Sequence, residues 1–223
     1  MAVASNFLVP MQEIAATFEA ETGQTVHLAS GSSGRLYAQI INGAPYHAFF
    51  SADQEKPALL IEEGLAEAQS LVTYAIGTLV LWSLEDDADP FEELTNNRIS
   101  RLAMANPRLA PYGMASMQIL ASLGLTNSYE KKSVLGENIN QAYQFVMTGN
   151  ADAGFIALSQ LAANDELPQG RGWIVPLGLH DPIRQDGVLL DGGKEHETAI
   201  RFLSYIKEEA AKVIIERFGY ITD

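Results

Sequence analysis

A chain of 223 residues, 47% hydrophobic and 19% charged, can bury one large core or two small ones and is too apolar to be disordered. Its 28 acidic and 14 basic residues leave a net charge of -14, which argues against nucleic acid and anionic membrane surfaces as partners. The lack of cysteine excludes disulfides, thiol chemistry and zinc–thiolate sites, and is compatible with either periplasm or cytosol.

Short β-like runs alternate with amphipathic helical ones. Ala2–Ala4 reads as a strand; Met11, Ile14, Ala15 and Phe18 then recur at helical spacing up to Gly23, with Pro10 in the first turn. Thr25–Leu28 is read as the next strand. Gly31-Ser32-Ser33-Gly34 follows, then a helix carrying Leu36, Ile40 and Ile41 and closed by Gly43. Ala48–Phe50 reads as a short buried strand, and Ser51-Ala52-Asp53 as the opening of a helix that ends at Gly64. The apolar run Tyr74–Trp82 is expected to be one long strand crossing between domains, and the acidic stretch Glu85–Glu93 a solvated loop and helix start.

Strands are expected at Leu102–Ala105, Ser133–Leu135 and Gly154–Leu158, with helices around Met117–Leu123 and over Ile139–Met147. Trp173–Leu177 and Gly187–Leu190 form the expected return path, and helices His196–Lys207 and Glu209–Phe218 close the chain. The alternation predicts an α/β fold with mostly parallel strands. Two crossovers imply a first domain of residues 1–80 plus 185–223 and a second of 81–184 inserted into it, with a ligand cleft expected where the two meet. No run approaches the roughly 18 apolar residues of a membrane helix. No signal peptide is recognisable; because domains rarely start in mid-strand, Met1 is read as standing in place of an upstream segment.

Four strand-to-helix turns carry the candidate chemistry: Ala4-Ser5-Asn6-Phe7, Gly31-Ser32-Ser33-Gly34, Ala110-Pro111-Tyr112-Gly113 and Gly136-Glu137-Asn138-Ile139. The first turn of a helix leaves N–H groups without carbonyl partners, and the macrodipole adds about half a positive charge there. Such turns can hold an anion without any basic side chain. Each has a blander reading as a simple helix cap. Glu137 is the one carboxylate inside the four turns and is expected to face solvent or cap its own helix. The four histidines show no metal-binding spacing, residue 35 is Arg35 where a Gly-x-Ser-x-Gly elbow needs glycine, and no phosphate-binding Walker or Rossmann motif is present.

The segments VASNF (3–7), GSSGRLYAQIINGAPY (31–46), FFSADQEKP (49–57), TYAIGTLVLWS (73–83), ANPRLAPYG (105–113), GENINQAYQFVMTGNADAGFIALSQ (136–160) and ERFGY (216–220) span nearly the whole chain. In this order they resemble the substrate-binding component of molybdate ABC transporters, a class of two-lobed periplasmic binding proteins. His47-Ala48 departs from the Asp-Val or Asp-Leu expected at that place in the family. The resemblance implies a two-lobed periplasmic-binding-protein-like fold: two Rossmann-like α/β domains joined by two crossover strands. It also implies a periplasmic, non-catalytic protein without a cofactor that captures molybdate, and tungstate with it, and passes it to a membrane permease. A monomer is the default for such receptors. The implied oxyanion donors are the Ser5 hydroxyl, an N–H at Asn6, the Ser33 hydroxyl with Ser32 as its alternative, Tyr112, and the backbone N–H of Ile139. A binder of another tetrahedral oxyanion, such as sulfate, phosphate or a phosphonate, is the rival reading. An enzyme on the same scaffold would need a convergent nucleophile and base, which the sequence does not offer.

Overall fold

A computed structural model describes residues 1–85, 87–162 and 170–222, so Asp86 of the acidic stretch lies outside the described residues. The chain divides into two compact units, Met1–Gly77 with Arg184–Asp223, and Thr78–Ile183.

The first unit is built on a five-stranded sheet of order β2-β1-β3-β10-β4, from β1 (Ala2–Ala4), β2 (Ala29–Gly31), β3 (Ala48–Phe50), β4 (Val72–Gly77) and β10 (Ile183–Leu189). β1 runs parallel to both β2 and β3, whereas β10 is antiparallel to β3. Alternation along β3 sends Phe49 and Phe50 to opposite faces. Phe49 packs with Leu36 and Ile40 of α2 (Ser33–Ile41), Leu60 of α3 (Glu55–Glu62) and Val188. Phe50 meets Tyr74 and Phe202 edge to face, and Phe202 meets Phe18 of α1 (Leu8–Thr22) at 5.2 Å. Edge-to-face pairs add about 0.5–1.5 kcal/mol each beyond their burial. α1 stops at Gly23, whose φ of 71° is a left-handed conformation that glycine adopts without strain. α9 (Glu197–Tyr205) and α10 (Glu209–Arg217) pack beside α1.

The second unit repeats the plan with order β7-β6-β8-β5-β9, from β5 (Leu79–Ser83), β6 (Leu102–Ala105), β7 (Ser133–Gly136), β8 (Ala153–Ala157) and β9 (Arg171–Ile174). β6 is parallel to β7 and β8, while β5 is antiparallel to β8 and β9. α4 (Pro90–Thr95) starts where the Asp89 carboxylate accepts the N–H groups of Phe91 and Glu92. α5 (Pro111–Ser122) lies so close to β6 that a Cβ on Gly113 would stand 2.2 Å from the Ala105 carbonyl oxygen. α6 (Thr126–Tyr129), α7 (Ile139–Met147) and α8 (Leu158–Ala162) complete the unit. Trp82 is buried and stacks on Tyr143; Trp173 packs on Phe91.

Several expectations are corrected. The run Tyr74–Trp82 is two strands, β4 and β5, which end and begin at Gly77 and Leu79 and belong to different sheets. Both halves are buried, so the apolar pattern runs on without showing the break. The strand expected at Thr25–Leu28 lies at Ala29–Gly31, because the register pairs Ala2 with Ala29 and leaves residues 25–28 past the start of β1. The helix expected from Ser51 starts at Glu55. The sheets are mixed where mostly parallel ones were expected: the antiparallel members β5 and β10 flank the points where the chain changes units, and strand direction leaves no periodic signal. Trp173 lies in β9, paired with β5, so it sits inside the second unit and not on the return path.

Two outcomes are expected from this packing. Gly113→Ala forces α5 off β6 and lowers stability by about 1–3 kcal/mol, read as a drop of several degrees in the midpoint of a thermal melt followed by circular dichroism. The rings of His47 and His196 lie 4.1 Å apart, and burial followed by the charge of His196 holds the His47 imidazole below its ordinary 6.5. The unfolded chain then takes up the proton at a higher pH than the folded one, so stability falls as pH drops below about 6.5. Melts between pH 7.5 and 5 should show this loss, and His47→Gln should flatten it; an unchanged slope would remove the pair as its source.

Candidate functional site

Three parallel strands of the first unit end side by side. The register pairs Ala4 with Gly31 and Val3 with Phe50, so the turns after β1, β2 and β3 leave the same edge of the sheet. Ligands of open α/β sheets gather at this carboxyl edge. After β1 a single 3-10 turn, Ser5–Phe7, leads into α1; Ser5 and Asn6 are buried at 7% and 4% exposure. The Ser5 hydroxyl bonds to no described residue. Asn6 is different: its Nδ2 donates to Gln185 Oε1 at 2.8 Å and to Tyr220 Oη at 3.0 Å. Both side-chain hydrogens are therefore spent within the protein.

After β2, Ser32 takes the N-cap position of α2 with extended backbone but makes no side-chain cap bond. Its hydroxyl oxygen is buried and has no hydrogen-bond partner among the described residues. An orphaned buried hydroxyl costs about 1–3 kcal/mol, which a ligand at this edge would offset. Ser33 Oγ accepts the N–H of Ala52 at 2.9 Å, and its hydrogen finds no acceptor among the described residues. Sequence reasoning missed Ala52, and with it the turn after β3. There Ser51 Oγ donates to Asp53, whose carboxylate is further held by the N–H and Nζ of Lys56. The signal was available in Ser-Ala-Asp directly after Phe49-Phe50, the pattern of the other turns.

The second unit brings two more turns to one edge. Ala105 pairs with Gly136, and the N–H of Asn106 donates to the Gly136 carbonyl at 2.7 Å. Tyr112 is buried in the first turn of α5, where Pro111 presets the backbone. Ile139 is the first residue of α7. The Asn138 carboxamide caps this helix by accepting from Gln141 N, and Gln141 Oε1 reaches back to the N–H of Glu137. This reciprocal cap satisfies the N–H groups on either side but not that of Ile139, which bonds to no described residue. Gln160, also missed from sequence, holds the start of α7 by donating from Nε2 to Asn140 Oδ1 at 2.9 Å and Ile139 O at 3.3 Å. Glu137 is exposed.

The structure thus places Ser5, Asn6, Ser32 and Ser33 at one edge of the first unit, and Tyr112 and Ile139 at one edge of the second. The donors in these turns are neutral hydroxyls and N–H groups, the right set for a fully ionised oxyanion, whose hydrogen bonds are roughly twice as strong as neutral ones. Among the described residues no three His, Asp or Glu side chains gather to hold a metal cation.

The family profile described as "Bacterial extracellular solute-binding protein" matches residues 1–221. The chain is 46% identical over 222 residues to the molybdate-binding protein ModA of Azotobacter vinelandii, covering 99% of this chain and 88% of that one. It is 43% identical to ModA of Rhodobacter capsulatus, covering 100% of this chain and 87% of that one. The solved structure of the Azotobacter vinelandii periplasmic molybdate-binding protein superposes with a TM-score of 0.93 at 39% identity, over 100% of this chain and 98% of that one. The profile, the relatives and the shared two-sheet architecture agree: the chain belongs to the bacterial extracellular solute-binding proteins.

Proposed function

We propose that this chain captures molybdate, and tungstate with it, for an ABC importer, holding the dianion by hydroxyl and backbone N–H donors at helix N-termini. The observation that carries the reading is the donor set itself. The Ser5 hydroxyl, the Asn6 N–H, the Ser33 hydroxyl, Tyr112 and the Ile139 N–H are the groups we assign to the oxyanion, with Ser32 as a further hydroxyl. None of them is a carboxylate, the strong acceptor that a protonated phosphate would donate to. Of the carboxylates within the turns, Asp53 is engaged by Ser51 and Lys56, and Glu137 is exposed. A-vinelandii-type and R-capsulatus-type relatives named for molybdate, at 46% and 43% identity over the full chain, support the same ligand. The protein binds and releases solute without covalent chemistry. We assign it to the periplasm as a monomer that hands its oxyanion to a membrane permease.

The net charge of -14 does not oppose an anionic ligand. Charges more than about 8–10 Å from the site are screened at physiological salt, while the first-turn N–H groups act at contact distance.

Isothermal titration of ligand-stripped protein with molybdate, tungstate, sulfate and phosphate tests the reading. One-to-one heat with the first two and none with the others is expected; binding of sulfate or phosphate alone would transfer the site to another oxyanion. Ser33→Ala should weaken molybdate by about 1–3 kcal/mol, the loss of one hydrogen bond to a charged acceptor. Ser32→Ala offers a sharper separation. Because its hydroxyl has no partner among the described residues, its removal should not lower the melting temperature of the unliganded form. A fall in molybdate affinity with no loss of stability would make Ser32 a ligand, and unchanged affinity would leave that role to Ser33.

A further inference from the structure

We propose that Gln185 and Tyr220 are positioning residues for the oxyanion donors of the first turn, holding Ser5 and Asn6 in place through the Asn6 side chain. The inference rests on the oxyanion reading above and concerns residues that touch no ligand in it. Asn6 and Tyr220 form a reciprocal pair: Asn6 Nδ2 donates to Tyr220 Oη at 3.0 Å, and Tyr220 Oη donates to the Asn6 carbonyl at 2.8 Å. The second Nδ2 hydrogen goes to Gln185 Oε1 at 2.8 Å. The next residue is fixed as well, since Phe7 packs edge to face on Tyr220 at 4.9 Å and on Tyr74 at 4.7 Å. The peptide groups around Asn6 therefore have one orientation available, set by residues about 180 and 214 positions away in the chain.

Gln185 carries the constraint further. Tyr74 Oη lies 3.3 Å from Gln185 Oε1 and donates to the Ser51 carbonyl at 2.9 Å. The turn that begins at Ser51 supplies the Ala52 N–H that holds Ser33. One buried network thus reaches the turns after β1 and β3 and, through Ala52, the hydroxyl after β2. Gln185 is fully buried, and its Nε2 has no partner among the described residues. An apolar side chain of similar size would avoid that orphaned donor, so the oxygen end is the reason for glutamine here. Donors held in place before the ligand arrives cost no ordering when it binds, and a fixed array discriminates better than a loose one.

The test compares Tyr220→Phe and Gln185→Met with Tyr129→Phe. Tyr129, in the second unit, is buried and donates to the Leu94 carbonyl at 2.9 Å, so its variant also loses a buried tyrosine–carbonyl bond but touches none of these turns. Molybdate titration, stopped-flow dissociation, and amide hydrogen exchange over residues 5–7 are read for each. Tyr220→Phe and Gln185→Met should raise the molybdate Kd about tenfold, chiefly through faster dissociation, and speed exchange at residues 5–7. Tyr129→Phe should lower the melting temperature while leaving both readings unchanged. Unchanged affinity in the first two variants, or an equal loss in Tyr129→Phe, overturns the proposal. If the wild-type chain takes up no oxyanion, the functional reading falls by itself; exchange at residues 5–7 then decides whether the two side chains position the turn.

Discussion

A helix cannot satisfy the N–H groups of its own first turn, and this structure is arranged around that deficit. In each unit parallel strands end in register, and each end feeds a helix start at the same sheet edge. Where local chemistry could fill the deficit it does so unevenly. Asn138 and Gln141 cap α7 on both sides of Ile139 yet leave the Ile139 N–H without a partner among the described residues. Ser32 occupies a cap position and makes no cap bond. A fold that needed these turns only for stability would gain by closing such gaps, since N-cap bonds contribute about 1 kcal/mol each.

The donors are cheap in charge and costly in placement. A lysine or arginine would attract many anions across a wide range of geometries, whereas neutral hydroxyls and N–H groups bind well only when several converge. Placement within each unit is what the supporting residues supply. Gly113 lets α5 approach β6 closely, Gln160 anchors the start of α7, and the network of Asn6, Gln185 and Tyr220 fixes the turn after β1. None of these three supports carries a charge.

The turns themselves were legible in the sequence because each is a local pattern: a short apolar run, then small or hydroxylated residues, then helical spacing. Ser5, Ser33, Tyr112 and Ile139 lie in turns marked in this way, while their roles as oxyanion donors are what the family resemblance implies. What stayed hidden is long-range. The division of Tyr74–Trp82 into two strands depends on which sheet each half joins, and burial on both sides erases any periodic mark of the change. The direction of β5 and β10 is set by where the chain changes units. Gln185 and Gln160 look like ordinary polar residues until their partners, 179 and 20 positions away, are known. Tyr220 stood in a segment that matched the family without offering a reason for itself; the reason is a hydrogen bond to the other end of the chain.

That bond also bears on the order in which the molecule can be made. The second unit is one uninterrupted stretch, Thr78–Ile183, and its contacts can all form once that stretch has been synthesised. The first unit cannot close: strand β10, which lies between β3 and β4, and the tyrosine that locks Asn6 both lie beyond residue 182. The entropy of bringing residues 6 and 220 together has to be met across nearly the full length of the chain, although an already folded insert shortens the effective loop. The serine-rich edge therefore stays incomplete until the last turns of the chain are in place. A chain cut short before Tyr220 would hold a finished second unit and an unlocked first one.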